Sequence, residues 1–298
     1  MASKSYSRSQ ARNRSVSKEL SEIVGGASGG FLFGIPLLYT MEVWFIGSEV
    51  QPPMLLAILG VTFAVVLLLN RAEGFRSSNS GGFWNGVGET IEAIAIGMVC
   101  AALMLALFQE ITPKTPLNEL LGKIIFEGVP FSLGVALSRS ILSGDRWASQ
   151  NNQSSNSSPK NGKASLWKDT LTDLSATAIG AIIIAFNIAP TDEVPMMSAA
   201  ASPPWLLAVI AVSLLVSYCI VFASGFTSHK KRRQQQGLFQ RPLGETVFSY
   251  LVSLIASALM LWFFQRLTWS DPWHLWLQQT LVLGLPATVG GAAGRLAV

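Results

Sequence analysis

The chain has 298 residues, of which 50% are hydrophobic and only 13% are charged. Soluble domains usually carry about 25% charged residues, so this composition argues against a soluble globule. The 26 Gly, 16 Phe and 9 Trp fit a helical membrane protein, in which Gly is frequent and Trp collects at the interfaces. With only two Cys and two His, the sequence supports no disulfide framework, zinc site or histidine-based catalytic centre. We therefore expect no enzyme activity and no cofactor, and the sequence does not identify a bound metal.

Residues 1–20 are polar and basic, and we expect them to form a cytosolic tail rather than a cleavable signal peptide. Eight largely apolar stretches follow, each near the roughly 20 residues that a helix needs to cross a bilayer. They do not alternate apolar with polar residues as barrel strands do, so the predicted fold class is an all-α polytopic membrane protein. The predicted spans are residues 23–47, 53–70, 88–109, 117–138, 171–190, 204–223, 244–265 and 274–296.

Lysine and arginine indicate the orientation, because positively charged loops are rarely translocated. If the N-terminus is cytosolic, 18 of the 21 basic residues lie inside, and only Lys114 and Arg266 lie outside. We therefore predict a membrane protein with both termini in the cytosol. The lipid bilayer and inorganic ions are the expected partners and nucleic acid is not, while a homo-oligomer is among the states that the sequence leaves open.

The two halves of the chain resemble each other. At an offset of 151 residues, the segment Gln51-Pro-Pro-Met-Leu-Leu-Ala aligns with Ser202-Pro-Pro-Trp-Leu-Leu-Ala. Beyond residue 80 the offset becomes 156, and Ala102-Leu-Met-Leu105 aligns with Ala258-Leu-Met-Leu261. The pattern predicts two tandem copies of a four-helix repeat.

We call residues 21–142 the first unit and residues 169–298 the second unit. Residues 143–168 are rich in Ser, Asn and Gln and are predicted to form a disordered cytosolic linker. Because four spans are an even number, both units insert in the same orientation and are parallel repeats about an axis along the membrane normal. Such an arrangement favours a pathway between the units, although a purely structural pseudo-dimer is an alternative.

Several charged or helix-bending residues recur at the offset of 156, and we interpret them as structural. An acid within Gly-Glu-Thr opens the third and the seventh span, where it interacts favourably with the helix dipole. The recurring residues are Glu89 and Glu245, Pro130 and Pro286, and Arg139 and Arg295. Glu92, one turn deeper than Glu89, aligns with Phe248 and is therefore specific to the first unit.

Intramembrane charges in the fourth span are the main candidates for function. Glu119, Lys123 and Glu127 recur every four residues and so lie on one helix face, with Glu127 about 15 Å deep, near the bilayer centre. An ion pair between Lys123 and Glu127 is one explanation, and a proton or cation relay is the other. A pair alone leaves Glu119 unexplained, so we favour the relay.

Acidic residues at the outer ends of the first and fifth spans form a second candidate site. Glu42 and Glu193 are repeat equivalents, and Asp192 lies beside the latter. They predict either an outer cation-binding pair or interfacial acids that cap helix ends.

The segment Phe33-Gly-Ile-Pro-Leu-Leu-Tyr-Thr-Met-Glu-Val-Trp44, with the later Gly-Glu-Thr, resembles a bacterial family of multi-spanning integral membrane proteins of unknown function. The resemblance implies a membrane protein but no activity, substrate or site residues. From the residues themselves we predict a channel or transporter for cations, with a pathway between the two units lined by intramembrane carboxylates. The alternative is a membrane scaffold or assembly protein in which the buried charges only pair between helices.

Overall fold

The computed structural model describes residues 2–72, 83–142, 162–223 and 242–296. Within these ranges every regular element is a helix and no strand occurs. The first half contains α1 (Ala2–Leu38), α2 (Met41–Glu49), α3 (Pro52–Ala72), α4 (Phe83–Leu107) and α5 (Leu117–Leu142). The second half contains α6 (Gly162–Ile188), α7 (Glu193–Ala200), α8 (Pro203–Tyr218), a π-helical turn (Cys219–Ala223), α9 (Pro242–Phe263) and α10 (Trp273–Leu296).

The prediction of one continuous first span over residues 23–47 is wrong. Pro36 lies in the last turn of α1, the helix ends at Leu38, and α2 begins at Met41. The second unit has an equivalent break, since α6 ends at Ile188 although Asn187 occupies the position aligned with Pro36, so the break does not depend on this proline. At the other end α1 already begins at Ala2, so the predicted tail over residues 1–20 is helical from that residue. Similarly, α6 begins at Gly162, so residues 162–168 of the predicted linker are helical, and residues 143–161 lie outside the described ranges.

Seven helices of the described part are long and apolar enough to cross a membrane. They overlap the first seven predicted spans, the first of them only up to Leu38, and their long apolar side chains, such as Leu56 and Leu68, are exposed as lipid-facing residues are. The eighth predicted span is α10, whose many Gly, Gln and Thr residues make it less apolar. Every residue from 281 to 292 is buried, so α10 is a central helix of the bundle. The count of eight spans stays a prediction.

Glycine pairs let two pairs of helices approach closely. A Cβ atom added to Gly29 in α1 would clash with the carbonyl oxygen of Gly134 in α5. In the second half, a Cβ atom added to Gly180 in α6 would clash with the carbonyl oxygen of Gly290 in α10. The two contacts are related by the offsets of 151 and 156 that align the halves. Small residues at helix crossings are typical of packing in membranes.

The turn after α4 recurs after α9 with the same hydrogen bonds. Gln109 and Gln265 both adopt the left-handed conformation, with φ of 63° and 57°. The next N–H in each case, from Glu110 or Arg266, donates at 2.9 Å to the carbonyl five residues earlier. This is the Schellman ending of a helix, formed with Gln where Gly is usual.

Candidate functional site

The break between α1 and α2 keeps its backbone groups hydrogen-bonded. The carbonyl of Leu38 accepts a hydrogen bond from the indole N–H of Trp44 at 3.2 Å. The N–H of Thr40 donates to the carbonyl of Leu37 at 2.9 Å. A helix interrupted at membrane depth is tolerated only where neighbouring protein satisfies the freed groups, as it does here.

A hydrogen bond from this break reaches the second half. The buried hydroxyl of Tyr39 donates to the carbonyl oxygen of Val282 in α10. That carbonyl would normally accept from the residue four positions later, but Pro286 has no N–H to give. Pro286 thus leaves the carbonyl oxygen of Val282 free to accept the hydrogen bond that connects α10 with the break between α1 and α2.

Glu127 lies in α5 beside this break. Its neighbour one turn away, Phe131, fills the space left by Gly34 in α1, while Gly122 on the other side packs against Gly47 in α2. Glu127 therefore lies along α5 between its contacts with α1 and with α2, the two helices that flank the break. It is 0% exposed, and neither carboxylate oxygen has a hydrogen-bond partner among the described residues.

Lys123 forms its ion pairs with acids other than Glu127. The Lys123 ammonium lies 2.9 Å from the Glu119 carboxylate and 3.8 Å from that of Glu110. It also donates to the backbone oxygen of Glu110 at 2.9 Å and lies 5.7 Å from the centre of the Trp44 ring. The structure thus brings together two members of the predicted stripe and points Lys123 away from the third.

Glu110 is the site residue that sequence reasoning missed as a partner of Lys123. It lies in the loop between α4 and α5, thirteen residues before Lys123, and no periodic pattern connects the two. Burial raises the pKa of the Glu110 carboxyl above its usual range, and the Lys123 ammonium opposes this rise while the Glu119 carboxylate adds to it.

The predicted outer acids occupy unlike surroundings. Glu42 is exposed in the first turn of α2, whereas Glu193 is 8% exposed in the first turn of α7. Asp192 forms an ion pair with Arg266 at 2.8 Å, and Arg266 also donates to the carbonyl of Pro190. The Asp192 carboxylate, which we expected to help bind a cation, is therefore already paired with the positive charge of Arg266.

At the opposite end of the bundle, Glu245 in the first turn of α9 forms an ion pair with Arg295 in the last turn of α10. The Arg295 side chain is 1% exposed and lies 5.8 Å from the ring centre of Phe222 in the π-helical turn. Their first-unit equivalents are Glu89, which is half-buried, and Arg139, whose side chain lies outside the described part.

Glu92 and Pro130 are the remaining predicted residues. Glu92 is half-buried on α4, and Pro130 lies inside α5 three residues after Glu127. Within the described ranges, no group of three or more His, Cys, Asp or Glu side chains is placed to hold a metal ion.

Comparison with known proteins agrees with a membrane location. A family model described as "Putative integral membrane protein (DUF2391)" matches residues 22–298, which is nearly the whole chain. The chain belongs to this family. It is therefore an integral membrane protein whose environment is a lipid bilayer. No curated protein and no solved structure matches the chain.

Proposed function

We propose that the protein is a cation channel or transporter of the membrane in which Glu127 binds the proton or cation that moves. One observation carries the proposal: a fully buried carboxyl group at the break of a helix, without a hydrogen-bond partner among the described residues. An isolated carboxylate in an apolar interior costs several kcal/mol, so the group must bind a proton or a cation.

The geometry around Glu127 supports this role. Membrane transporters often bind coupling ions beside interrupted helices. Pro130 has no N–H, so the carbonyl of Phe126, next to Glu127, is not used by the helix in the normal way. Glu127 and this carbonyl together offer the oxygen ligands that hard cations and protons prefer.

The ion-paired Lys123 gives the site its outer boundary. The ammonium lies one helical turn from Glu127 and is held by Glu119 and Glu110. We propose that a cation must pass this group, and that the outer acids Glu42 and Glu193 raise the local cation concentration. In the second unit the equivalents of Lys123 and Glu127 are Gln279 and Leu283, so the ionisable path is confined to the first unit.

We also propose the finer architecture: eight spans in two parallel units, with both termini in the cytosol of a bacterial inner membrane. The recurring Schellman turns and the recurring Gly29–Gly134 and Gly180–Gly290 contacts support a duplication. The distribution of Lys and Arg supports the orientation.

Ion flux into proteoliposomes tests the proposal, with gradients of K⁺, Na⁺, H⁺ and Cl⁻ imposed in turn. We expect cation flux that depends on pH in the native protein and falls at least about tenfold in Glu127→Gln, which corresponds to about 1.4 kcal/mol. Glu42→Gln with Glu193→Gln should lower flux at low cation concentration only. Leu283→Met, the matched change in the second unit, should leave flux unchanged.

Other outcomes decide against the proposal. Chloride flux that survives in Glu127→Gln would retain transport but remove Glu127 from the path. Folded protein without any ion flux would favour the scaffold, in which Glu127→Gln with Lys123→Met is tolerated and changes in the Gly25–Gly30 run disrupt assembly.

A further inference from the structure

Buried hydroxyl groups occur on α8 and α9 in the second unit, and that of Ser253 also lies against Gly291 of α10. We call Ser213, Ser217, Ser249, Tyr250 and Ser253 the hydroxyl cluster. At about 1.5 Å per residue, counted from Ala223 at the end of the π-helical turn and from Pro242 at the start of α9, four of its members lie about 9–15 Å along their helices. The Tyr250 hydroxyl lies close to that of Ser213, although outside hydrogen-bond geometry, so the two helices present these groups to each other.

The cluster contains unused hydrogen-bonding capacity. The hydroxyls of Ser217, Ser249 and Tyr250 are buried and have no hydrogen-bond partner among the described residues. Ser213 and Ser253 donate to carbonyls of their own helices at 2.7 and 3.0 Å, which leaves their oxygens free to accept. The cluster thus offers both donors and acceptors, and leaving them unused is costly.

The first unit shows that packing does not require these hydroxyls. At the aligned positions it has Val66, Ala93 and Ile94 in place of Ser217, Ser249 and Tyr250. Val66 and Ala93 form an apolar cluster, against which Ile94 packs. The same helical arrangement is therefore stable with apolar residues. Helix packing does not explain why the second unit has hydroxyl groups at these positions.

Further polar groups continue the cluster toward both membrane faces. Glu245, Ser249, Ser253 and Ser257 recur every four residues on one face of α9. Glu245 is ion-paired with Arg295, so its charge is neutralised beneath the cluster. Toward the other face, Gln279 in α10 is buried, and its carbonyl oxygen has no hydrogen-bond partner among the described residues.

We propose that the hydroxyl cluster binds and passes small uncharged molecules that both donate and accept hydrogen bonds, of which water is the smallest. Ions fit poorly, because the cluster supplies only hydroxyl groups and the acid below it is already paired. Buried water and neutral solutes need two to four polar partners, which the cluster provides. This site is separate from Glu127 and does not depend on the cation proposal.

Stopped-flow light scattering of proteoliposomes tests the site. A hyperosmotic urea or glycerol gradient causes water efflux and then solute entry, so one trace reports both permeabilities. The test variant Ser217→Val/Ser249→Ala/Tyr250→Ile installs the residues of the first unit. We expect at least a tenfold loss of solute permeability, or of water permeability alone if the occupant is only water.

Two controls keep the test decisive. Thr62→Val removes a first-unit hydroxyl that bonds its own helix at 2.8 Å, and it should leave both permeabilities unchanged. Tyr250→Phe provides a milder change should the triple variant misfold, and we expect a partial loss. The triple variant should retain cation flux and Glu127→Gln should retain solute permeability, so the two proposals fail separately. Permeabilities no higher than in protein-free vesicles, or unchanged in the folded triple variant, overturn the inference.

Discussion

Replacing Glu127 by leucine is expected to make the protein more stable and inactive at the same time. The second unit already has Leu283 at the aligned position, and Leu283 is 0% exposed, so the same packing accepts leucine. A buried polar group without a partner costs about 1–3 kcal/mol, which the substitution removes. At about 2 °C per kcal/mol for a chain of this size, the melting temperature should rise by about 2–6 °C.

The assay is thermal unfolding in detergent, run beside cation flux on the same preparation. The reciprocal variant Leu283→Glu buries a new carboxyl in the second unit and should melt below the native protein. Residues kept at the expense of stability are those that function requires, so a more stable but inactive Glu127→Leu protein is the expected combination. A melting temperature that falls by several degrees in Glu127→Leu would refute the reasoning, because it means that the carboxyl has a stabilising partner.

Three further predictions concern the loops and the ion pair. Because the folded-state pKa of Glu110 is raised above its ordinary value of 4.5, the folded protein binds this proton more tightly, so stability should fall as pH rises from about 4.5 through the folded pKa. Glu110→Gln should flatten this part of a pH–melting curve, and an unchanged curve contradicts the assignment. Arg295→Met should cost about 1–3 kcal/mol by removing the ion pair with Glu245, and a double-mutant cycle with Glu245→Leu should show how much of that loss belongs to the pair. Gln109→Gly and Gln265→Gly should each stabilise by up to about 1 kcal/mol, because glycine adopts the left-handed conformation without strain; a clear loss of stability in either would contradict this account of the turns.

Local patterns were sufficient to predict the long helices but not the short helices α2 and α7. Long apolar runs can satisfy their backbone groups in a membrane only as helices, and seven of the eight predicted spans meet that description in the structure. The pairing of Glu119 with Lys123 was also open to prediction, because residues four apart on a helix are neighbours. The break at Tyr39 and Thr40 was harder, since Pro36 marks a bend without saying whether the helix continues.

Contacts between helices decided the rest. Sequence spacing could not predict whether Lys123 pairs with Glu127 or with Glu110, because Glu110 lies in the loop between α4 and α5 and its position depends on how these helices pack. Nor could it connect Tyr39 with Val282, which lies 243 residues away. The composition of an apolar segment thus determines that it forms a helix, because in a bilayer its backbone N–H and C=O groups must bond to each other. Which polar groups meet, and which carboxyl or hydroxyl is left without a partner, depends on the rotation and packing of neighbouring helices, and only the tertiary structure fixes these.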